Sequence, residues 1–247
     1  MEKKKRYKCL DTLRGCTILS MALYHAMWDI VYVKRVDIEW FHSEFAYIWQ
    51  QSICWTFILL SGICWSLGKK KAIRGGIVFL AGILISIVTE IFLPQQRIIF
   101  GVLTLLGSSM LIMIPLNKIM CRIPSFWGMI LSTIIFFATK SINNGYIGFG
   151  EFITLELPSK WYSKGYLMTF LGFTDNDFFS SDYFSLFPWF FLFLSGYYVY
   201  RIAYEKGFVD KLKDCRIDNK FLGFLGRHSL IFYLLHQPLI YLIIQFL

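Results

Sequence analysis

The sequence predicts an all-α integral membrane protein, a bundle of about seven transmembrane helices with its N-terminus in the cytoplasm and its C-terminus outside. Three observations carry that expectation. Of 247 residues, 56% are hydrophobic and only 17% charged, whereas a soluble domain carries about a quarter charged; the mean hydropathy is +0.54. The charges are clumped, and the apolar stretches between them run to roughly 20 residues, the length that crosses a ~30 Å hydrocarbon core. The clumps are also basic on alternate loops.

Seven apolar spans follow in order: 13–33, 47–67, 75–93, 98–116, 124–140, 184–204 and 226–246. The first contains His25 and Asp29 and has no small-residue cleavage site, so it reads as a retained helix rather than a signal peptide. One set of loops holds Lys3, Lys4, Lys5, Arg6 and Lys8, then Lys69, Lys70, Lys71 and Arg74, then Lys118 and Arg122, then Lys206, Lys211, Lys213, Arg216 and Lys220. The other set holds Lys34, Arg35, Arg97, Lys140, Lys160 and Lys164. The positive-inside rule places the richer set in the cytoplasm. That placement accounts for most of the net charge of +9, and no nucleic-acid partner is expected. Segment 161–173 is apolar but short and carries Lys164. A crossing there would put the basic 205–220 loop outside, so 141–183 reads as an outside loop with an interfacial or re-entrant segment. No repeat or soluble domain interrupts the chain, which reads as one domain over 1–247. Cys9, Cys16, Cys54, Cys64, Cys121 and Cys215 form no outside pair, and no metal-ligand spacing appears.

Ionisable groups inside a span are costly and point to function. With Asp11 at zero and about 100° per residue, Arg14, His25 and Asp29 fall with it inside a wedge of about 60°. Lipid cannot solvate such a stripe, so it faces the bundle interior or a watery cavity. His25 lies roughly 16 Å past Arg14 along the axis, near mid-depth. Asp29, at i+4, is placed to orient its imidazole. A polar contact that only fixes helix packing is the plainer alternative. In the last span, Arg227, His228 and Ser229 open the cytoplasmic end, and His236 lies beside Gln237 and Pro238. Pro238 lacks an N–H, which frees a local carbonyl near His236. A histidine bonded to a neighbouring helix fits His236 equally well, and an interfacial role suits His228. Glu90 with Arg97 reads as an ion pair, and Asp182 with Trp189 as a cap and an interfacial anchor. The aromatics of 161–183 suit either sugar rings or the membrane interface.

Several stretches together carry a family resemblance. Leu10-Asp11-Thr12-Leu13-Arg14-Gly15 leads to Met21 and His25; 57–62 reads FILLSG; Arg97 precedes Phe100-Gly101-Val102-Leu103. Asp182-Tyr183-Phe184 leads through Pro188-Trp189 to Gly196, and Leu225-Gly226-Arg227-His228-Ser229-Leu230 through Tyr233 to His236-Gln237-Pro238. In this order they resemble bacterial proteins similar to the catalytic domain of heparan-α-glucosaminide N-acetyltransferase, within the transmembrane acyltransferase superfamily. Thr104 stands where many relatives carry histidine or glutamine. In the animal enzyme the catalytic histidine lies in the loop after the first helix, and His42 is nearest to it in position. Other superfamily members use a histidine within that helix, which matches His25, ranked first here.

The resemblance implies transfer of an acyl group, most often acetyl, from a cytoplasmic coenzyme A thioester (acetyl-CoA) to an outward-facing acceptor such as a cell-envelope sugar, in the cell membrane. Asp11, Arg14, Arg227, His228 and Ser229 then become the donor-binding end. His25, Asp29, His236 and His42 are the catalytic candidates, and Glu90, Arg97, Asp182 and Trp189 lie on the substrate side. No metal is expected. The rival class is a proton-coupled transporter, which buried histidines and carboxylates also suit, although transporters usually carry paired repeats.

Overall fold

A computed structural model describes residues 7–150, 152–209 and 219–246. Lys3, Lys4, Lys5, Arg6, Glu151, Lys211, Lys213, Cys215 and Arg216, several of them used above for topology, lie outside the described residues. The chain divides into two compact units, Met1–Leu60 with Ala203–Leu247, and Ser61–Ile202.

In the first unit, helix α1 (Lys8–Tyr32) starts five residues earlier than the apolar run. Its first turn is amphipathic rather than lipid-facing: Leu10 and Thr12 are buried while Lys8 is exposed. A 3₁₀ turn over Glu39–His42 leads into α2 (Glu44–Leu67), whose N-terminal part belongs here. Ile18, Met21 and Ile53 form a core with Tyr24, Trp49, Phe57, Phe232 and Tyr233 against it. Trp49 donates its indole N–H to Ser20 Oγ at 2.8 Å. The chain's end is two helices, not one. Helix Lys220–Arg227 is capped by Asn219, whose side chain accepts from the N–H groups of Phe221 and Leu222. The backbone then leaves helical geometry at His228, and Ser229–Gln245 continues as a second helix through Pro238 without a break. The single span 226–246 is thereby corrected, since Gly226 and Arg227 finish the earlier helix. The reason is packing. A Cβ on Gly226 would overlap the carbonyl of Asp11, and one on Gly15 would overlap the carbonyl of Leu222. Two helices cross at backbone contact there, as small residues allow in membranes.

The second unit contains α3 (Lys71–Phe92), α4 (Val102–Met120), α5 (Ser125–Ala138), the hairpin β1 (Tyr146–Phe149) and β2 (Phe152–Glu156), the short α6 (Tyr166–Leu171) and, as far as Ile202, α7 (Leu186–Glu205). The two helices closing the first unit are α8 and α9. Among the described residues, three helical segments are long and apolar enough to cross a membrane: Lys71–Phe92, Val102–Met120 and Ser125–Asn144. Helix α3 shows why a bilayer is needed. Ile77, Leu80, Ile83, Leu84, Ile87 and Ile91 are exposed along it, Leu80 and Ile91 by about two thirds, and water would not tolerate such a continuous apolar face. Its other face meets α4 closely, because Gly82 lies on the Thr104 backbone and Gly107 on that of Phe79. The C-terminal carbonyls of α4 would be orphaned, but Tyr198 and Arg201 on α7 donate to Met120 O at 3.1 and 3.0 Å. Ser132 of α5 and Ser195 of α7 share a buried hydroxyl contact of 2.9 Å.

The described residues of 141–183 include a hairpin and short helices. The antiparallel hairpin pairs Phe149 with Phe152 and bulges at Ile147/Gly148. Only 166–171 of the apolar run is α-helical, about 9 Å long and too short to cross.

Candidate active site

The first unit gathers a histidine pair and a clamped carboxylate. His25 projects from α1 and His236 from α9, and their rings meet edge to face with centroids 4.9 Å apart. His236 Nδ1 lies 2.5 Å from the Tyr233 carbonyl oxygen. A carbonyl only accepts, so Nδ1 carries the proton and Nε2 keeps its lone pair. That Nε2 is buried with no partner among the described residues. Such a nitrogen is a proton acceptor held in place, the property general-base catalysis needs.

Asp29 is fully buried. Gln237 Nε2 donates to both its carboxylate oxygens, at 3.0 and 3.2 Å, while Gln237 Oε1 is buried without a partner among the described residues. Asp29 is expected to orient the His25 imidazole from i+4, and its own carboxylate is held by a third residue. The amide of Gln237 reaches it first, across two helices. Gln237 has no role in the sequence reading, although it sits between His236 and Pro238. The periodicity of one helix cannot reveal which residue of another, 208 positions away, will face it.

Nearer the start of α1, Arg14 pairs with Asp11 at 3.5 Å and donates to the Gly226 carbonyl at 3.4 Å. Those bonds bring the DTLRG stretch against the end of α8. Arg227 and His228 follow directly and are exposed, His228 with its ring 4.8 Å from that of Phe224; Ser229 is partly buried and begins α9. His42 stands apart from the histidine pair, 3.6 Å from Asp37 on an exposed surface.

The remaining candidates belong to the second unit and make structural contacts. Glu90 and Arg97 pair at 3.6 Å, and Arg97 Nε also donates to the Phe179 carbonyl at 3.1 Å. Asp182 faces the start of α4, not of its own helix, and accepts from Val102 N at 3.5 Å. Trp189 packs on Phe136 and Phe184, with ring centroids 5.5 and 5.0 Å away. Among the described residues no group of His, Cys, Asp or Glu could hold a metal ion.

A family model for the catalytic region of heparan-α-glucosaminide N-acetyltransferase matches residues 6–238, from the basic tail to Pro238. The chain belongs to that family. Comparison with curated proteins and with solved structures gives no match. The heparan-α-glucosaminide N-acetyltransferase match takes in α1, α8 and the part of α9 that carries His236 and Gln237. Membership makes the chain an acetyltransferase-like enzyme with membrane helices.

Proposed function

We propose that this chain is a multi-pass cell-membrane enzyme that moves an acetyl group from cytoplasmic acetyl-CoA to an outward-facing acceptor, a hydroxyl or amine on a cell-envelope sugar. The observation that carries the reading is the His25–His236 pair, 4.9 Å apart, beside the Gln237–Asp29 clamp, inside a chain of the acetyltransferase family. The distribution of basic residues supports the orientation of the seven spans, and the direction of transfer is what the family resemblance implies.

The donor's phosphates dock at the cytoplasmic end of α1 and α8, where Arg14, Arg227 and His228 offer charge-assisted donors and Ser229 a hydroxyl. Asp11 holds Arg14 in place. His25 is the general base, with His236 as its partner. As the acceptor's oxygen or nitrogen attacks the thioester carbonyl, its proton passes to the His25 imidazole, the C–S bond breaks, and the departing thiolate regains that proton as free coenzyme A. The buried Asp29 carboxylate favours the transient imidazolium. An acyl-histidine intermediate is the stepwise variant of the same chemistry.

Purified protein supplied with labelled acetyl-CoA and crude envelope glycans should release coenzyme A and label the glycan. His25→Ala should lower transfer by about 10²–10⁴-fold, the usual worth of a positioned base, with donor binding retained. Full transfer in a folded His25→Ala variant would overturn the assignment of the base.

A further inference from the structure

The second unit contains an open hollow of about 660 Å³ within the 141–183 segment, inside the roughly 300–1,000 Å³ range of small-molecule sites. None of the roles above uses it. Among its lining residues Tyr162, Phe178, Phe179 and Tyr183 are aromatic, and hydrogen bonds hold two of them. Tyr162 donates its hydroxyl to the Ile142 carbonyl and Tyr183 to the Thr169 carbonyl, each at 2.5 Å. Phe178 packs against Tyr183 with centroids 5.1 Å apart. Burial pushes both phenols above their ordinary pKa, so neither wall acquires charge in neutral solution.

Its rim is polar and unengaged. Asn144, Ser159, Ser163 and Asn176 line the opening and are exposed, and Asp175 is partly buried there. Their side chains make no hydrogen bond or ion pair with other described residues. Among the described lining residues there is one carboxylate and no cationic side chain. Flat aromatic faces suit the C–H faces of a pyranose ring, and amide, hydroxyl and carboxylate groups suit its hydroxyls. A phosphate, sulfate or uronate would meet Asp175 with no compensating charge among the described lining residues, which is unfavourable.

We infer that this cavity binds an uncharged pyranose unit of a glycan, with Asp175 and Asn176 bonding its hydroxyls and Tyr162, Phe178 and Tyr183 framing its ring. That the ring belongs to the acceptor rests on the function proposed above; that it binds rests on the cavity alone. The test uses full-length protein in nanodiscs, without donor. Saturation-transfer NMR is recorded with the methyl glycosides of glucose, galactose, mannose and N-acetylglucosamine, and with methyl glucuronide as the anionic control. Saturable transfer to at least one neutral glycoside is expected, with the dissociation constant raised at least tenfold in Asp175→Ala and in Asn176→Ala and little transfer to the glucuronide. Asp175 is partly buried and Asn176 exposed, and an unchanged melting temperature checks the fold of both variants. No saturable transfer to any neutral glycoside, transfer unaffected by both substitutions, or equal transfer to the glucuronide would each overturn the inference. Because no acyl donor is present, failure of acetyl transfer by the same preparation would count against the proposed function and leave this result intact.

Discussion

At the scale of single residues, the chemistry of this protein turns on who satisfies whom inside a membrane. Asp29 is a carboxylate with no exposure, and the Gln237 amide meets both of its oxygens. Removing that amide leaves a buried charge with no donor. Gln237→Leu should therefore cost about 3 kcal/mol or more, read as a lower melting temperature in detergent. Adding Asp29→Leu to the same chain removes the orphaned charge and should recover part of the loss, because contacting residues are not additive. A double variant no more stable than Gln237→Leu would show that the clamp is not what holds these helices. The stripe of Asp11, Arg14, His25 and Asp29 is visible in the sequence because one helix has one period. Its partners are not. His236 carries enough chemistry to be a candidate by itself, but Gln237 becomes one only when two helices are seen face to face.

At the scale of elements, helix contacts depend on where side chains are absent. Gly15 and Gly226 let α1 and α8 touch backbone to backbone. Gly15→Val should push the helices apart, with a cost of about 1–3 kcal/mol or more, and should weaken donor binding through Arg14, whose bond to the Gly226 carbonyl needs the close approach. Gly76→Ala on α3 is the control: nothing lies within 4 Å of the added carbon, and the melting temperature should stay or rise slightly. Thermal unfolding of the two variants side by side separates packing from mere glycine removal. Sequence periodicity locates the apolar runs well, and each of the seven is largely helical in the structure. It does less well where tertiary contact decides. The end at His228 depends on the crossing with α1. The hairpin is hidden because Phe149, Phe152, Ile153 and Leu155 are all exposed, so the strands lack the one-sided alternation that marks a strand packed on a core.

For the whole molecule, the informative quantity is the asymmetry of Lys and Arg between loops, which sets orientation without reference to packing. In a variant with its native cysteines replaced, Ser163→Cys should react with a membrane-impermeant maleimide on intact cells, whereas Lys69→Cys should react only after permeabilisation. The reverse pattern would invert the topology and with it the direction of transfer. The membrane character itself is legible from composition, since the exposed face of α3 is what a sequence of this hydropathy must present to something other than water. The division into two compact units is not legible, because the boundary falls inside the continuous helix α2.

The contact between Asp182 and the start of α4 also has a meaning in time. Gly101, the residue at the N-cap of α4, offers no side-chain cap, and the carboxylate that faces Val102 N is 80 residues further along. The same seam is sewn by Ser181 N to the Arg97 carbonyl at 3.0 Å, by Ile99 N to Ser180 Oγ at 2.9 Å and by Phe184 N to the Phe100 carbonyl at 2.9 Å. At a translation rate of about 5–20 residues per second, α4 leaves the ribosome roughly 4–16 s before its cap is made. The α3–α4 pair thus has to settle in the membrane on its own contacts, the glycine approaches, the Glu90–Arg97 pair and the bond from Ile98 N to Thr89 Oγ1, and the late segment locks a hairpin that is already in place.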